Sequence, residues 1–462
     1  MLWLRDRRRH VAARLALVVG MYLVPVLASA QTPLTLRDAI TLGLAHNESY
    51  RIALTEQERA NALILSARAG LFPRIDFQGS YSRALKRPEM VISGEQNGEP
   101  FVQRLQIGTK HSTVGGISAE QTLFEGGGVL AAWKAAQSYR EMQLALGTVA
   151  LNNLEAEVAK AFLDAILMQA LADVAAQTVR QAEAHYQVVD QKFKAGLTSE
   201  YDHLRAHVRV ATVRPQLIQA QSALDLARIH LKNLVGVSAA TAIQLVDSEP
   251  DSSSWEADDL EALERQAAAT RPDLAATDQE IRTRARGVDI YRAERWPSLK
   301  LNGSFDWQWN TDRRYNLRND EMSRSWSAGL SLSYSLFDGF RRRGNIQVAQ
   351  VDLKQAELRR AQLVRGVALQ VESARSQFRE ATERLEAQRE AVAEAERGLG
   401  IANLRYESGV GTQLEVLDAQ LALSTARVFA ETARHDRRLA RVEWRQAMGE
   451  PVLLPLAPGE AR

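Results

Sequence analysis

The stretch QKFKAGLTSEYDHLRA, residues 191–206, returns 213 positions later as LRYESGVGTQLEVLDA, residues 404–419, with Gly196 falling on Gly409. The same register places Phe124 of QTLFEGG on Phe337 of YSLFDGF, and Leu234-Val235-Gly236 on Ala447-Met448-Gly449. Upstream the spacing is 224: ARAGLFPRIDFQGSYS, ending at Ser82, pairs with YRAERWPSLKLNGSFD, ending at Asp306, so Pro73 meets Pro297. Landmarks held in one register from Phe124 to Gly236 mark a duplication. The chain accordingly reads as a first repeat, 31–236, a linker, 237–259, a second repeat, 260–449, and a short tail, 450–462.

Between these landmarks the apolar positions keep a helical period. They fall at Leu151, Leu154, Val158, Ala161, Ala165, Met168, Ala172, Ala175, Val179, Ala182, Tyr186, Val189 and Phe193. Steps of three and four alternate throughout, the signature of a coiled-coil seam. The second repeat carries the same seam from Val364 to Tyr406, with Gln388 as its polar member. Alanine fills many of these positions, so partner helices must approach closely. A helix from Gly128 to Lys194 would be about 100 Å long at 1.5 Å per residue. Each is followed by a turn and a returning helix, roughly 199–233 and 413–447, so each repeat contains a helical hairpin.

Four other segments alternate with a period of two. Leu299, Leu301, Gly303, Phe305, Trp307 and Trp309 alternate with Lys300, Asn302, Ser304, Asp306, Gln308 and Asn310; Trp326, Ala328, Leu330, Leu332, Tyr334 and Leu336 alternate with Ser327, Gly329, Ser331, Ser333 and Ser335. Ile75 to Ser82 and Gly115 to Leu123 are shorter counterparts. Strands of about ten residues with one polar face, one apolar face and terminal aromatics suit a membrane barrel, and Trp307, Trp309 and Trp326 suit an interfacial belt. Four strands close no barrel, and open edges are excluded in lipid. Pooling strands in a symmetric oligomer resolves this, and three copies supply twelve. The segments between paired strands, 85–112 and 311–325, read as long polar loops.

The N-terminus carries an export label. Arg5, Arg7, Arg8 and Arg9 precede an apolar core from Leu15 to Leu27, and Ala28-Ser29-Ala30 supplies a cleavage pattern, so residues 1–30 read as a signal peptide. No later run is apolar enough for a membrane helix. The 462 residues include no cysteine, which excludes disulfides, thiolate metal sites and cysteine nucleophiles. Net charge is +2, of which the first thirty residues supply +4, so no basic domain suggests a nucleic-acid partner. Enzyme signatures are absent too. Gly126-Gly127-Gly128 lacks the lysine of a phosphate loop, and His203 and His207 within HLRAH lack the glutamate of a zinc protease helix. Neither catalytic residues nor a cofactor or metal site are expected.

With these motifs in order, the sequence resembles the outer-membrane efflux and secretion channels of the TolC family. The resemblance rests on LTLRDAITLGLAHN at Leu34, on LFPRIDFQGSYS and WPSLKLNGSFD, on the LFDG at Leu336, and on the FKAGLTS and RYESGVGTQLEVLDAQ turns. It implies a homotrimer with a twelve-stranded β-barrel, four strands per protomer, continued by a long periplasmic α-helical coiled-coil barrel. It also implies a passive exit duct of a tripartite efflux or type I secretion system, set in outer-membrane lipid. A periplasmic adaptor (membrane fusion) protein and an inner-membrane pump or ABC exporter would be its partners.

The turns Gly196, Leu197, Thr198 and Gly409, Val410, Gly411 are then the adaptor-docking tip, with Thr198 and Thr412 as helix caps. Glu415 and Asp418, three apart on one helix face, with their counterparts Asp202 and Arg205, are the expected pore constriction. Rings of carboxylates there favour cations, and Arg205 is expected to pair with Glu415 or Asp418 of a neighbouring hairpin. The rival reading is a periplasmic coiled-coil adaptor or structural protein without a pore, which explains the hairpins and the export signal but not the four strands.

Overall fold

A computed structural model describes residues 32–96, 99–247, 259–312 and 322–452. The signal segment, linker residues 248–258, loop residues 313–321 and the tail from 453 lie outside the described residues. In chain order come β1 (Thr32–Leu34), α1 (Leu36–His46), α2 (Glu48–Ala69), β2 (Arg74–Arg83), β3 (Glu89–Gln96), β4 (Glu99–Gln106), β5 (His111–Glu125), α3 (Gly128–Lys194) and α4 (Glu200–Leu234). After β6 (Ile243–Leu245) follow α5 (Leu260–Thr270), α6 (Pro272–Ala293), β7 (Ser298–Thr311), β8 (Met322–Ser333), α7 (Arg341–Glu407) and α8 (Gln413–Met448). The long helices α3 and α7 have 67 residues each.

Two units make up the fold. One comprises Asn47–Glu157, Trp255–Leu385 and Asp436–Arg462. Its antiparallel sheet has the order β2-β5-β7-β8. The register shows how the period of two becomes two chemically different faces. One row across the strands is Phe77, Ile117, Phe305 and Trp326; the next is Gln78, Gly116, Asp306 and Ser325. On the apolar face Phe305 and Trp326 meet edge-on, 4.9 Å between centroids, and the Trp307 indole lies across Gly115. On the polar face Lys300 Nζ bonds Glu120 Oε1 at 2.8 Å. A soluble sheet would pack its apolar face on a core. Here Phe77 is 69% and Trp326 82% exposed, so among the described residues the face is uncovered.

Three details depart from the sequence reading. The expected loop 85–112 contains a second sheet, the β3–β4 hairpin, in which Met90 pairs with Leu105 and Gly94 with Phe101. Arg87 holds its base by donating to Asp312 Oδ2 at 2.8 Å. The linker contributes a short strand that the sequence did not mark, β6, parallel to β1 through Thr32 with Ile243 and Leu34 with Leu245. Finally, β8 stops at Ser333, so Tyr334 and Leu336 lie beyond the strand.

The helical core of this unit joins α5 and α6 to α7 and α8: Ala267 and Leu274 pack with Val367, Val371, Ala374, Trp444 and Met448. Arg271, between α5 and α6, donates to the Ala447 carbonyl at 3.1 Å and to Gln370 at 2.7 Å. It thereby satisfies a carbonyl that the end of α8 leaves open.

The other unit comprises Met1–His46, Val158–Ser254 and Glu386–His435. Its helices are zipped by the seam that the sequence marks. Val179 and Ala182 of α3 pack against Val210 and Val213 of α4, and Leu399 and Ala402 of α7 against Val416 and Leu423 of α8. Alanines of the α3 seam, such as Ala161, Ala165 and Ala182, are buried. Small side chains at these positions set the helix spacing, and larger ones would force it open. Ala165→Leu should destabilise the fold by about 1–3 kcal/mol, read as a lowered thermal midpoint with unchanged helix content before melting.

Candidate functional site

Two long helices must reverse within a few residues, and a left-handed glycine in each turn makes this possible. Gly196 has φ 73° and Gly409 φ 77°, a region open to glycine and costly to other residues. The Leu197 amide donates to Lys192 O at 2.8 Å, and the Val410 amide to Arg405 O at 3.0 Å. These closures satisfy carbonyls at the end of α3 and α7. Leu197 and Val410, 76% and 71% exposed, project from the turns as apolar tips. Gly411 leaves no room for a side chain, because a Cβ would stand 2.8 Å from Arg405 Cβ.

The returning helices are capped, but not by both expected threonines. Ser199, not Thr198, caps α4: its hydroxyl accepts from the Asp202 amide at 3.1 Å and donates to Asp202 Oδ2 at 2.7 Å. Thr198 only reaches the same carboxylate at 3.4 Å. Serine holds the cap because it stands directly before the first helical residue, three ahead of Asp202, and so closes the capping geometry. In the second hairpin Thr412 is the cap, with the Glu415 amide donating to its hydroxyl at 3.3 Å and Glu415 reaching back to the Thr412 amide at 3.4 Å.

The structure brings the two hairpins together at this level. Lys192 Nζ lies 4.0 Å from the centroid of the Tyr406 ring and donates to the Tyr406 carbonyl at 3.1 Å. Gln413 Nε2 donates to the Asp202 carbonyl at 3.1 Å. Each link joins the first hairpin to the second. Neither was legible in the sequence, because a helical period says nothing about which residues meet across hairpins.

The four expected constriction residues take different roles. Glu415 pairs within its own hairpin, receiving Arg405 Nε at 3.2 Å. Arg405 and the Thr412 backbone hold its carboxyl below the ordinary range, so it stays ionised at neutral pH. Asp202 is engaged by Ser199. Asp418 is exposed and lines an open groove of about 430 Å³ with Gln388, Leu421, Thr425 and Phe429. Arg205 is half-buried, and among the described residues it forms no ion pair with Glu415 or Asp418.

His203 bonds Asp190 at 3.0 Å and stacks on Phe193, while His207 meets the edge of Tyr186. Among the described residues no three metal-ligating side chains converge.

His185 is the buried titratable group of the cluster. Its ring lies 5.5 Å from that of Tyr406, its Nε2 has no hydrogen-bond partner among the described residues, and burial followed by Lys192 pushes its pKa below 6.5. The unfolded chain then takes up a proton that the folded one resists, so stability falls as pH drops below about 6.5, by up to about 1.4 kcal/mol per pH unit. His185→Phe should melt with less dependence on pH between 7.5 and 5.5 than the native chain; equal dependence would remove His185 from this role.

The fold and sequence have relatives. The sequence profile of the outer membrane efflux protein family matches residues 39–237 and again 263–450. The protein CyaE of Bordetella pertussis is 28% identical over 397 residues, covering 85% of this chain and 79% of that protein. The outer membrane protein OprJ of Pseudomonas aeruginosa is 27% identical over 437 residues, covering 90% and 84%. Among solved structures, the Campylobacter jejuni CmeC outer membrane channel superposes with a TM-score of 0.75 at 17% identity, covering 91% of this chain and 87% of that one. The chain therefore belongs to the outer membrane efflux protein family, the TolC-like exit ducts, and serves as a passive outer-membrane channel component of a tripartite export system, not as an enzyme.

Proposed function

We propose that this chain is a homotrimer in which three four-stranded sheets close one twelve-stranded barrel through outer-membrane lipid, continued by an α-helical coiled-coil barrel in the periplasm. The observation that carries this reading is the β2-β5-β7-β8 sheet, whose apolar face is uncovered and whose two edges are unpaired among the described residues, in a chain of this family. A second seam on α4 supports it. Tyr201, Leu204 and Val208 are exposed at three- and four-residue steps, and the exposed stripe continues through Ala211 and Pro215 to Ile218, on the side away from the residues packed against α3. Such a stripe calls for another helix. On this reading the repeats 31–236 and 260–449 each supply one hairpin and two strands, and the polar sheet face lines a water-filled lumen.

At the periplasmic tip, Asp418 and Glu415 face the pore in threefold rings, with Asp202 and Arg205 beside them. Arg405 neutralises part of the Glu415 ring, which leaves Asp418 as the freer carboxylate. Arg205 is available to a neighbouring copy. The exposed turns, Gly196-Leu197-Thr198 and Gly409-Val410-Gly411, dock the periplasmic adaptor, which connects the duct to an inner-membrane pump or ABC exporter.

Planar-bilayer recordings of detergent-purified mature protein test this. The native channel should show small, cation-selective conductance. Asp418→Asn with Glu415→Gln should reduce cation selectivity and raise conductance several-fold, and Arg205→Ser should raise resting conductance. Absence of any conductance would overturn the duct; conductance indifferent to all three residues would move the constriction elsewhere.

A further inference from the structure

The register sorts the residues of the four-stranded sheet onto two faces, and the apolar face is itself divided. Toward the end from which α3 and α7 depart it is aliphatic, with Ile75, Leu301, Leu330 and Leu332. Toward the other end, where β2 passes into the β3–β4 hairpin, it is aromatic, with Tyr81, Trp307, Trp309 and Trp326. The ring of Phe305 lies 5.5 Å from that of Trp307, and Tyr81 shares a hydrogen bond of 2.8 Å with His111 Nδ1. Aromatic side chains gathered at one level of a lipid-facing sheet suit the boundary between hydrocarbon and headgroups.

This face carries two formal charges, and both are positive. Arg83 follows Tyr81 by two residues at the end of β2. Arg324 stands between Met322 and Trp326 on the same face of β8 and is paired across the strands with Trp307. Both arginines are exposed. No Asp or Glu of the four strands shares the face, and among the described residues neither guanidinium is in an ion pair. The polar face treats its cations differently. Arg74 pairs with Asp76 and Lys300 with Glu120, each at 2.8 Å. The sheet therefore matches its polar-face cations with carboxylates and leaves the two at the aromatic end of the apolar face without one.

A charge on a lipid-facing position is costly at mid-membrane and tolerated near the interface. There a phosphate supplies the anion that the sheet withholds. A guanidinium takes two phosphate oxygens at once through charge-assisted hydrogen bonds. We propose that Arg83 and Arg324 bind the phosphates of outer-leaflet lipid, with Tyr81, Trp307, Trp309 and Trp326 packing on the acyl chains beside them. The occupant is a phosphorylated lipid rather than free phosphate, because both arginines rise from an exposed apolar face that a free ion would leave uncovered. The site rests on the membrane placement proposed above, in which the helices leave toward the periplasm and the β3–β4 end faces outward. It adds the class of lipid that this end selects.

Native mass spectrometry of the mature protein in detergent tests the site, with lipid A carrying both phosphates and dephosphorylated lipid A as probes. The native protein should retain the phosphorylated probe about tenfold more strongly than the other. Arg83→Gln combined with Arg324→Gln should retain the two probes equally, whereas Arg74→Gln, on the polar face, should keep the native preference. Equal retention by the native protein would overturn the site without recourse to any variant. An undiminished preference in the double variant would overturn it too, as would displacement of the lipid by inorganic phosphate at the same concentration. Conducting trimers that show no preference would remove the lipid site alone; a native protein that stays soluble without detergent would remove the membrane placement itself.

Discussion

A strand in hydrocarbon has no water with which to pair its backbone, and among the described residues the sheet β2-β5-β7-β8 ends on two open edges. β2 has 10 residues and β8 has 12, and about half of their amides and carbonyls point outward from the sheet. At several kcal/mol for each unpaired group in lipid, the cost far exceeds the roughly 5–15 kcal/mol by which folded domains are stable. No rearrangement of one chain removes both edges, because four strands are too few to curl closed. Additional copies remove both at once. On the proposed assembly, the uncovered apolar face and the polar face opposite follow from that requirement.

The helical unit answers a different constraint. α3 and α7 are far longer than any core could cover on all sides, so each is stabilised along a narrow seam by its returning partner. Alanine in the α3 seam keeps the helices close. Where the seam ends, polar links take over: Lys192 on Tyr406, Gln413 on Asp202, and Arg405 on Glu415. The first two are part-buried and join the hairpins, whereas the Arg405–Glu415 pair lies in the open within one hairpin and is individually weak.

The sequence made legible what depends on period and on repetition. The alternation of three and four from Leu151 to Phe193 marked the greater part of α3, and the alternation of two marked the cores of β2, β5, β7 and β8, because both patterns are direct projections of backbone geometry. The β3–β4 hairpin escaped notice, although the sequence between its strands is Asn97-Gly98, a strong hairpin dipeptide; Glu89 to Gln106 mixes charge and glycine too evenly to show alternation. At the candidate site the Thr412-x-x-Glu415 box was readable. The Arg405–Glu415 pair was not, because it forms across a turn whose path the sequence does not specify. The cap at Ser199 in place of Thr198 turned on a single residue of helix start, which pattern reading does not resolve.

Amide hydrogen exchange of the purified protein in detergent tests the central claim most directly, strand by strand. If copies pair edge to edge, amides of β2 and β8 will be protected as strongly as those of the inner strands β5 and β7. Rapid exchange confined to outward-pointing amides of β2 and β8, with β5 and β7 protected, would contradict the account: the edges would be open, and the sheet would not be part of a closed barrel.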